Sequence, residues 1–280
     1  MKRTPTVAAL VTVAILAGGV GISRHKAIRL AEKNLMVHHD NGPQTPETFG
    51  VNSRQFRFQS GARSLAASVV HAPTSCSGSA TVLIFHGRGE TISQWARAQA
   101  FLSQQCVSSM VFDYAGHGSS TGEAHIPTLN DDAMAAYATF VQHFPADRRR
   151  CVLAHSMGNA PMLHGFGSFS PKPDCTVSAS AFSSVQDYAL AGGAPKPFAV
   201  LLRGIWDNTD AIAKVTGPLL IIHSDADEVV PHPMAQTLSA AAPAGAQQVV
   251  VKGLGHNAMY EAPSTTIWGP IVTFLHGGAN

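Results

Sequence analysis

Short apolar segments alternate with segments of helical length over most of this chain, and this alternation restricts the possible fold more than any other feature. The apolar segments are VLIF, SMVFDY, CVLAH, TVSASAF, PLLIIH and QQVVV, and helix-length segments include Gln94–Gln104, Asp131–His143, Pro231–Ala241 and Pro263–Leu275. Strands that are apolar throughout and separated by helices predict a parallel sheet covered on both faces. Before them, Ser53–Gln59 and Ser64–His71 alternate like the two strands of a hairpin. The predicted fold class is therefore α/β.

Motifs rich in glycine and polar residues follow five of the predicted strands. They are HGRGE at 86–90, DYAGHGSS at 113–120, AHSMG at 154–158, DADEVVP at 225–231 and GLGH at 253–256. In an open α/β sheet, functional residues collect at the carboxyl ends of the strands. We therefore expect these five motifs to meet at one edge of the sheet.

Three residues in these motifs have the chemistry of a catalytic triad. A serine nucleophile needs a base to take its proton and a carboxylate to hold that base in the correct tautomer. Ser156 lies between a predicted strand and a helix, with small residues two positions to either side, as in a nucleophile elbow. Asp227 and His256 follow it in the chain order that this arrangement requires. The prediction is Ser156 as nucleophile, His256 as base and Asp227 as the orienting acid.

The oxyanion of such a reaction needs hydrogen-bond donors. We predict the backbone N–H groups of Met157 and Arg88 for this role, because Met157 follows the nucleophile and Arg88 lies in the loop after the HG dipeptide. Several other histidines flank the site. We interpret them as loop-shaping or pocket-lining groups rather than bases, and they are His86, His117, His155 and His223.

In these motifs the chain resembles the α/β-hydrolase family, and within it the short-lid serine hydrolases with HG-x-G-E, DY-x-G-x-G-S and D-x-x-V-P signatures. The resemblance extends from Phe56 to Leu275. It implies a mostly parallel eight-stranded sheet with helices on both faces, and hydrolysis of an ester, thioester or amide through an acyl-enzyme. It also favours Asp227 over Asp225 as the acid. One residue departs from the family pattern, because Ala154 stands where the elbow usually has glycine.

The segment between the predicted sixth strand and the acid loop is short. Residues 183–217 leave about 35 positions, too few for the helical lid of enzymes that select large lipids. A short lid or none, and an open cleft, are therefore expected. Phe198, Leu202 and Trp206 are the candidate substrate-binding residues, suited to an acyl chain or a small apolar ester. The alternative is that they simply pack a helix on the sheet.

The N-terminal residues differ from the rest of the chain. Lys2 and Arg3 precede an uncharged run from Thr4 to Ser23, and a basic start followed by an apolar run is typical of a secretory signal or a signal-anchor. Its length is close to the lower limit of about 17 residues for a membrane span, so a cleaved signal and an anchor both remain open. The alternative is a buried N-terminal helix. The predicted division is residues 1–30 as signal or anchor, 31–52 as connector and 53–280 as catalytic domain.

The four cysteines bear on the cellular compartment. Cys76 and Cys106 each lie shortly before a predicted strand, and Cys151 and Cys175 each open one. Residues at the starts of neighbouring parallel strands share an edge, so we predict the disulfides Cys76–Cys106 and Cys151–Cys175. Such disulfides are typical of proteins outside the cytosol, whether periplasmic, extracellular or anchored to a membrane. The alternative is four buried free thiols. The cysteines have no CxxC spacing, so we predict no metal site, and the triad chemistry needs no cofactor.

The overall charge excludes one class of partner. The chain has 19 Lys and Arg against 17 Asp and Glu, and its formal net charge is only +2. We therefore expect no nucleic-acid partner, since a phosphate backbone is bound by a basic stripe.

Two functions remain. The first is a serine hydrolase of a small-molecule ester, thioester or acyl substrate. The second is an exported or membrane-associated binding protein on a hydrolase fold without turnover.

Overall fold

The computed structural model describes residues 22–36, 42–76, 80–144 and 148–278. Within these residues, eight strands form one sheet in the order β1-β2-β4-β3-β5-β6-β7-β8. The strands are β1 (Arg54–Ser60), β2 (Arg63–Val70), β3 (Ala80–Phe85), β4 (Val107–Phe112), β5 (Arg150–His155), β6 (Cys175–Ala179), β7 (Leu219–Ser224) and β8 (Gln247–Val251). β1 pairs with β2, and β2 with β4, in antiparallel fashion, whereas all pairs from β4 to β8 are parallel. The predicted mostly parallel eight-stranded sheet is confirmed.

Helices cover both faces of this sheet. They are α1 (Arg24–Leu35), α2 (Ile92–Gln104), α3 (Ile126–His143), α4 (Asn159–Gly165), α5 (Val185–Ala191), α6 (Lys196–Val200), α7 (Asn208–Ile212), α8 (Pro233–Ala241), α9 (Ala258–Glu261) and α10 (Thr265–Leu275). The alternation along β3 shows the two layers, because Val82 and Ile84 pack with α2 and α10, while Leu83 and Phe85 pack with α3 and α4. Strands buried on both faces explain why the central strand segments are apolar throughout.

The register of the central strands positions the site. β3 lies between β4 and β5, and Phe85 at the end of β3 pairs with Ala154 near the end of β5. The loop that begins at His86 therefore lies beside the turn that begins at Ser156. Chemistry-bearing loops from separate parts of the chain meet at this carboxyl edge, as the sequence predicted.

Helix α1 departs from the predicted organisation of the N-terminal region. It runs from Arg24 to Leu35 without interruption, so it crosses the predicted boundary at residue 30 and occupies the first residues of the predicted connector. A short 3-10 helix, Pro46–Phe49, lies later in the same stretch. The polar residues that resembled a linker have structural roles, since buried Glu32 accepts a hydrogen bond from the Ile126 N–H at the start of α3.

The predicted signal or anchor lies almost entirely outside the described residues, which begin at Ile22. Among the helices of the part that is described, none is both long and apolar enough to span a bilayer.

Both predicted disulfides are present. Cys76 and Cys106 have Cα atoms 5.5 Å apart, and Cys151 and Cys175 have Cα atoms 4.6 Å apart in directly paired positions of β5 and β6.

Candidate active site

Ser156 lies in a tight turn between β5 and α4. Its φ of 52° is left-handed, a strained conformation for a residue with a side chain, and such strain is typical of functional sites. Gly158 is required in this turn, because a Cβ atom there would collide with the carbonyl oxygens of Phe85 and His86. Ala154, the departure from the family pattern, is fully buried within β5. The turn therefore has the form of the predicted nucleophile elbow.

Ser156, His256 and Asp227 form a continuous hydrogen-bonded chain. The Ser156 Oγ lies 2.9 Å from Nε2 of His256, and Nδ1 of His256 lies 2.8 and 2.9 Å from the two carboxylate oxygens of Asp227. An ionised carboxylate can only accept, so Nδ1 carries the proton and Nε2 is free to accept from the serine hydroxyl. These three residues come from the ends of β5, β7 and β8, and His256 is almost completely buried.

Asp227 is held in its charged form. Burial raises the pKa of its carboxyl, but the hydrogen bond and electrostatic attraction from His256 outweigh burial, so the pKa lies below its ordinary value. The backbone N–H groups of Val229 and Val230 also donate to Oδ1, at 2.9 and 2.8 Å. The alternative acid, Asp225, is exposed and pairs instead with Lys252 at 3.0 Å and the Gly253 N–H at 2.9 Å. The geometry thus joins Asp227, and not Asp225, to His256.

A second carboxylate, Glu90, lies behind this chain, and the sequence reasoning did not predict its role. It accepts hydrogen bonds from the Gly87 N–H at 2.7 Å, from Nε1 of Trp95 at 2.8 Å and from Nδ1 of His155 at 2.8 Å. Nε2 of His155 in turn donates to the carbonyl oxygen of His256 at 3.1 Å. Glu90 therefore links the loop after β3 to the backbone of the histidine in the triad geometry. The motif HGRGE contained the residue, but only the fold reveals its partners.

The Glu90–His155 contact is a buried ion pair. Burial raises the pKa of Glu90, but the charge of His155 and its hydrogen bond outweigh burial and lower that pKa. For His155, burial lowers the pKa, and the Glu90 carboxylate outweighs burial and raises it. Both shifts favour the charged forms of the pair, and pairing is how a buried carboxylate is usually tolerated.

The other flanking histidines do not contact Ser156 in this way. Burial, followed by the neighbouring His117, lowers the pKa of His86 to about 4, so its ring is neutral at physiological pH. His223 donates through Nε2 to the Val230 carbonyl oxygen at 2.9 Å, which fixes the loop that carries Asp227. These contacts agree with the predicted loop-shaping role.

A cavity of about 300 Å³ opens at Ser156. Arg88 and Met157, the predicted oxyanion-hole residues, both border it, as do Phe182, Tyr188 and the acidic Glu261. The approach of Gly87 to the serine is close, since a Cβ on Gly87 would lie 3.0 Å from Cβ of Ser156. The loop after β3 can therefore present backbone groups directly beside the serine.

The three predicted substrate-binding residues occupy two kinds of position. Phe198 and Leu202 border a second, smaller cavity under α1. Trp206 is buried in the core, where its indole N–H donates to Oδ1 of Asn130 on α3 at 3.0 Å. Of the two roles left open for Trp206, its position supports core packing rather than substrate binding. Tyr188, which borders both cavities, was not predicted, because a single tyrosine in a short helix carries no sequence signal.

Sequence comparisons agree with the fold. Residues 77–209 match the family model described as serine aminopeptidase, S33. The uncharacterized protein Rv2307c of Mycobacterium tuberculosis is 29% identical over 184 residues, covering 66% of this chain and 65% of that protein. The human alpha/beta hydrolase domain-containing protein 17C is 24% identical over 179 residues, covering 63% of this chain and 53% of that protein. The chain thus spans less than two thirds of the length of these relatives.

Solved structures share the fold at low sequence identity. An esterase from Pyrococcus furiosus, Pf2001, has a TM-score of 0.67 and 16% identity, with 88% of this chain and 99% of that chain covered. Est1E from Butyrivibrio proteoclasticus, solved with ferulic acid bound, has a TM-score of 0.62 and 15% identity, with 79% of this chain and 96% of that chain covered. With the sheet order, these structures show that the chain has the α/β-hydrolase fold. The family-model match and the relatives support the α/β-hydrolase family as its class.

Proposed function

We propose that this α/β hydrolase is a serine hydrolase that cleaves an ester or thioester through an acyl-enzyme. Ser156 Oγ attacks the acyl carbonyl carbon while Nε2 of His256 takes its proton and then gives it to the leaving group. Asp227 keeps His256 in the required tautomer and stabilises the imidazolium that forms. A water molecule, activated by His256, then hydrolyses the acyl-enzyme and regenerates Ser156.

The single observation that carries this proposal is the hydrogen-bonded chain from Ser156 through His256 to Asp227, with contacts of 2.8 to 2.9 Å. The contacts lie within the range expected for a nucleophile and its base. A binding protein without turnover has no need for this alignment, nor for the strained backbone at Ser156.

The oxyanion hole in this proposal consists of the backbone N–H groups of Met157 and Arg88. Both residues border the cavity at Ser156, and the one after the nucleophile is a usual donor on this fold. Ser156 begins a 3-10 helix that continues into α4. The first backbone N–H groups of a helix have no acceptor within it, so those after Ser156 are available to an oxyanion. Backbone donors held in this way need no reorganisation when negative charge develops.

Three substrates with small acyl groups distinguish esterase, thioesterase and peptidase activity. The full chain is assayed with p-nitrophenyl acetate, an acetyl thioester and alanine p-nitroanilide, beside Ser156→Ala. We expect the ester and thioester to be cleaved at least tenfold faster than the anilide, with all cleavage lost in the variant. Faster cleavage of the anilide would assign a peptidase instead, and equal turnover by Ser156→Ala would contradict the mechanism.

We further propose that the chain works outside the cytosol. Two disulfides join all four cysteines, which is typical of exported proteins, and the basic start and apolar run precede the first described helix. Alkylation of the unreduced protein, taken directly from producing cells and followed by mass spectrometry, tests this. No alkylated cysteine is expected, whereas four alkylated cysteines would contradict export.

A further inference from the structure

A narrow second cavity lies between α1 and the segment that follows β6. Its volume is about 30 Å³, and its walls are almost entirely apolar. Helix α1 contributes Leu30, Ala31 and Leu35, and the opposite wall consists of Ala189, Phe198 and Leu202. We refer to α1, α5 and α6 together as the cap.

This cavity adjoins the catalytic cavity. Among the lining residues that the structure describes, Leu35 of α1 and Tyr188 of α5 border both spaces, so the two cavities are neighbours across these side chains. Tyr188 also packs against Phe182, with ring centroids 5.8 Å apart, and its hydroxyl interacts with Arg88 in the loop after β3. An acyl chain that leaves Ser156 and passes Tyr188 would enter this apolar cavity under α1.

Specific contacts hold α1 in this position. Buried Glu32 accepts from the Ile126 N–H at 3.0 Å, and the Arg24 guanidinium donates to the Arg203 carbonyl oxygen at 3.0 Å. The apolar face of the helix is buried through Ala27 and Ala31, whereas Lys33 is exposed on the outer face. Helix α1 is thus a fixed wall of the cavity.

We infer that α1 forms the end wall of an acyl-chain site, and that the substrate is an ester or thioester of a short, unbranched aliphatic acid. This inference rests on the proposed function. The apolar lining selects a hydrocarbon chain, and a space of about 30 Å³ holds about two or three methylene-sized groups beyond Tyr188. An acyl group of about six carbons fits.

The test is the acyl-length profile of the full chain. p-Nitrophenyl acetate, hexanoate and dodecanoate share a leaving group, so their kcat/KM values compare acyl groups alone. We expect hexanoate to exceed acetate and dodecanoate by at least about tenfold, since a filled apolar pocket discriminates by roughly this factor. A profile that is flat, or that rises to dodecanoate, would overturn the inference.

Variants locate the selection at α1. Ala31→Phe places a ring in the cavity, and we expect the hexanoate-to-acetate ratio of kcat/KM to fall at least about tenfold. Lys33→Phe adds the same ring on the outer face of the same helix and leaves the ratio unchanged. An unchanged ratio in folded Ala31→Phe would overturn the inference.

A second variant covers the case in which Ala31→Phe does not fold. Leu202→Ala enlarges the same cavity, so octanoate and decanoate should gain at least about threefold relative to hexanoate. No gain would overturn the inference. Failure of the proposed function is a separate result, because then neither acetate nor any longer ester is cleaved in a manner that depends on Ser156.

Discussion

The carboxyl edge of the central strands and the cap differ in what fixes their residues. At the edge, backbone geometry dictates identity: Gly158 has no room for a Cβ atom, and Ser156 occupies a left-handed turn. In the cap, apolar side chains from α1 and from α5 and α6, far apart in the sequence, pack against one another. The first region needs particular residues, whereas the second needs only suitable volume and shape.

Under the proposed function, this difference separates the residues that carry out the reaction from those that select the acyl group. Changes at the edge should affect bond cleavage or folding, because no other residue satisfies the same geometry. Changes in the cap should affect which acyl group is accepted, and should affect stability only slightly. The predictions below test this separation, from the largest expected effect to the smallest.

Asp227→Asn should have the largest effect. The amide cannot hold His256 in the tautomer that accepts the serine proton, so kcat/KM for p-nitrophenyl acetate should fall by about 10⁴-fold with little change in fold. Asp225→Asn is the matched control, because Asp225 is exposed and pairs with Lys252. Steady-state kinetics of both variants provide the test. A similar loss in the two variants would contradict the assignment of the acid.

Gly158→Ala should destabilise the protein by about 3 kcal/mol, because the added methyl group meets backbone atoms of Phe85 and His86 that cannot move aside. Gly167→Ala is the matched control, since a Cβ there has nothing within 4 Å. Urea unfolding followed by circular dichroism measures both. Equal stability of the two variants would mean that the turn at Gly158 tolerates a larger residue, and that backbone geometry does not dictate residue identity at the edge.

Glu90→Gln should lower kcat by about 10- to 100-fold, through displacement of the loop after β3 and of the His256 backbone. It should also change the pH dependence of stability. His155 has a raised pKa, so its contribution is complete below its ordinary value of 6.5 and disappears as the pH rises through the folded value. Glu90 has a lowered pKa, so its contribution is present above 4.5 and is lost as the pH falls.

The free energy of unfolding should therefore differ most between wild type and Glu90→Gln at about pH 5.5, and the difference should shrink toward about pH 9. Urea unfolding at the two pH values measures it. A difference that is the same at both, or larger at high pH, would mean that the Glu90–His155 pair is not charged in the folded protein.

Leu35→Ala should have the smallest effect, a loss of about 1 kcal/mol in the free energy of unfolding. Leu35 borders two cavities and so lacks neighbouring atoms on part of its surface, which limits the contacts that truncation removes. Lys33→Ala on the outer face should leave stability unchanged. Thermal melts of the two variants test this. If Leu35→Ala lowered the free energy of unfolding by several kcal/mol, the cap would contribute to stability as a core does, and the proposed difference between the edge and the cap would be wrong.

The same difference explains how far the sequence predicted the molecule. The sheet, the elbow and the positions of Ser156, Asp227 and His256 follow from motifs at strand ends, because tight turns restrict residue type locally. The sequence left two roles open for Trp206 and did not single out Tyr188, because apolar residues in short helices look alike whether they face a cavity or the core. Helix α1 was placed partly in a connector, since its buried Glu32 gains its partner only when α3 folds beside it.

Covalent labelling of Ser156 tests the central claim most directly. The folded wild-type chain is incubated with a fluorophosphonate, and the adduct is located by intact mass and peptide mass spectrometry. We predict one adduct, on Ser156, that is absent in Ser156→Ala and forms far more slowly in His256→Ala. Folded wild-type protein that acquires no adduct, or acquires it on another residue, would contradict the proposal that this site is a serine hydrolase.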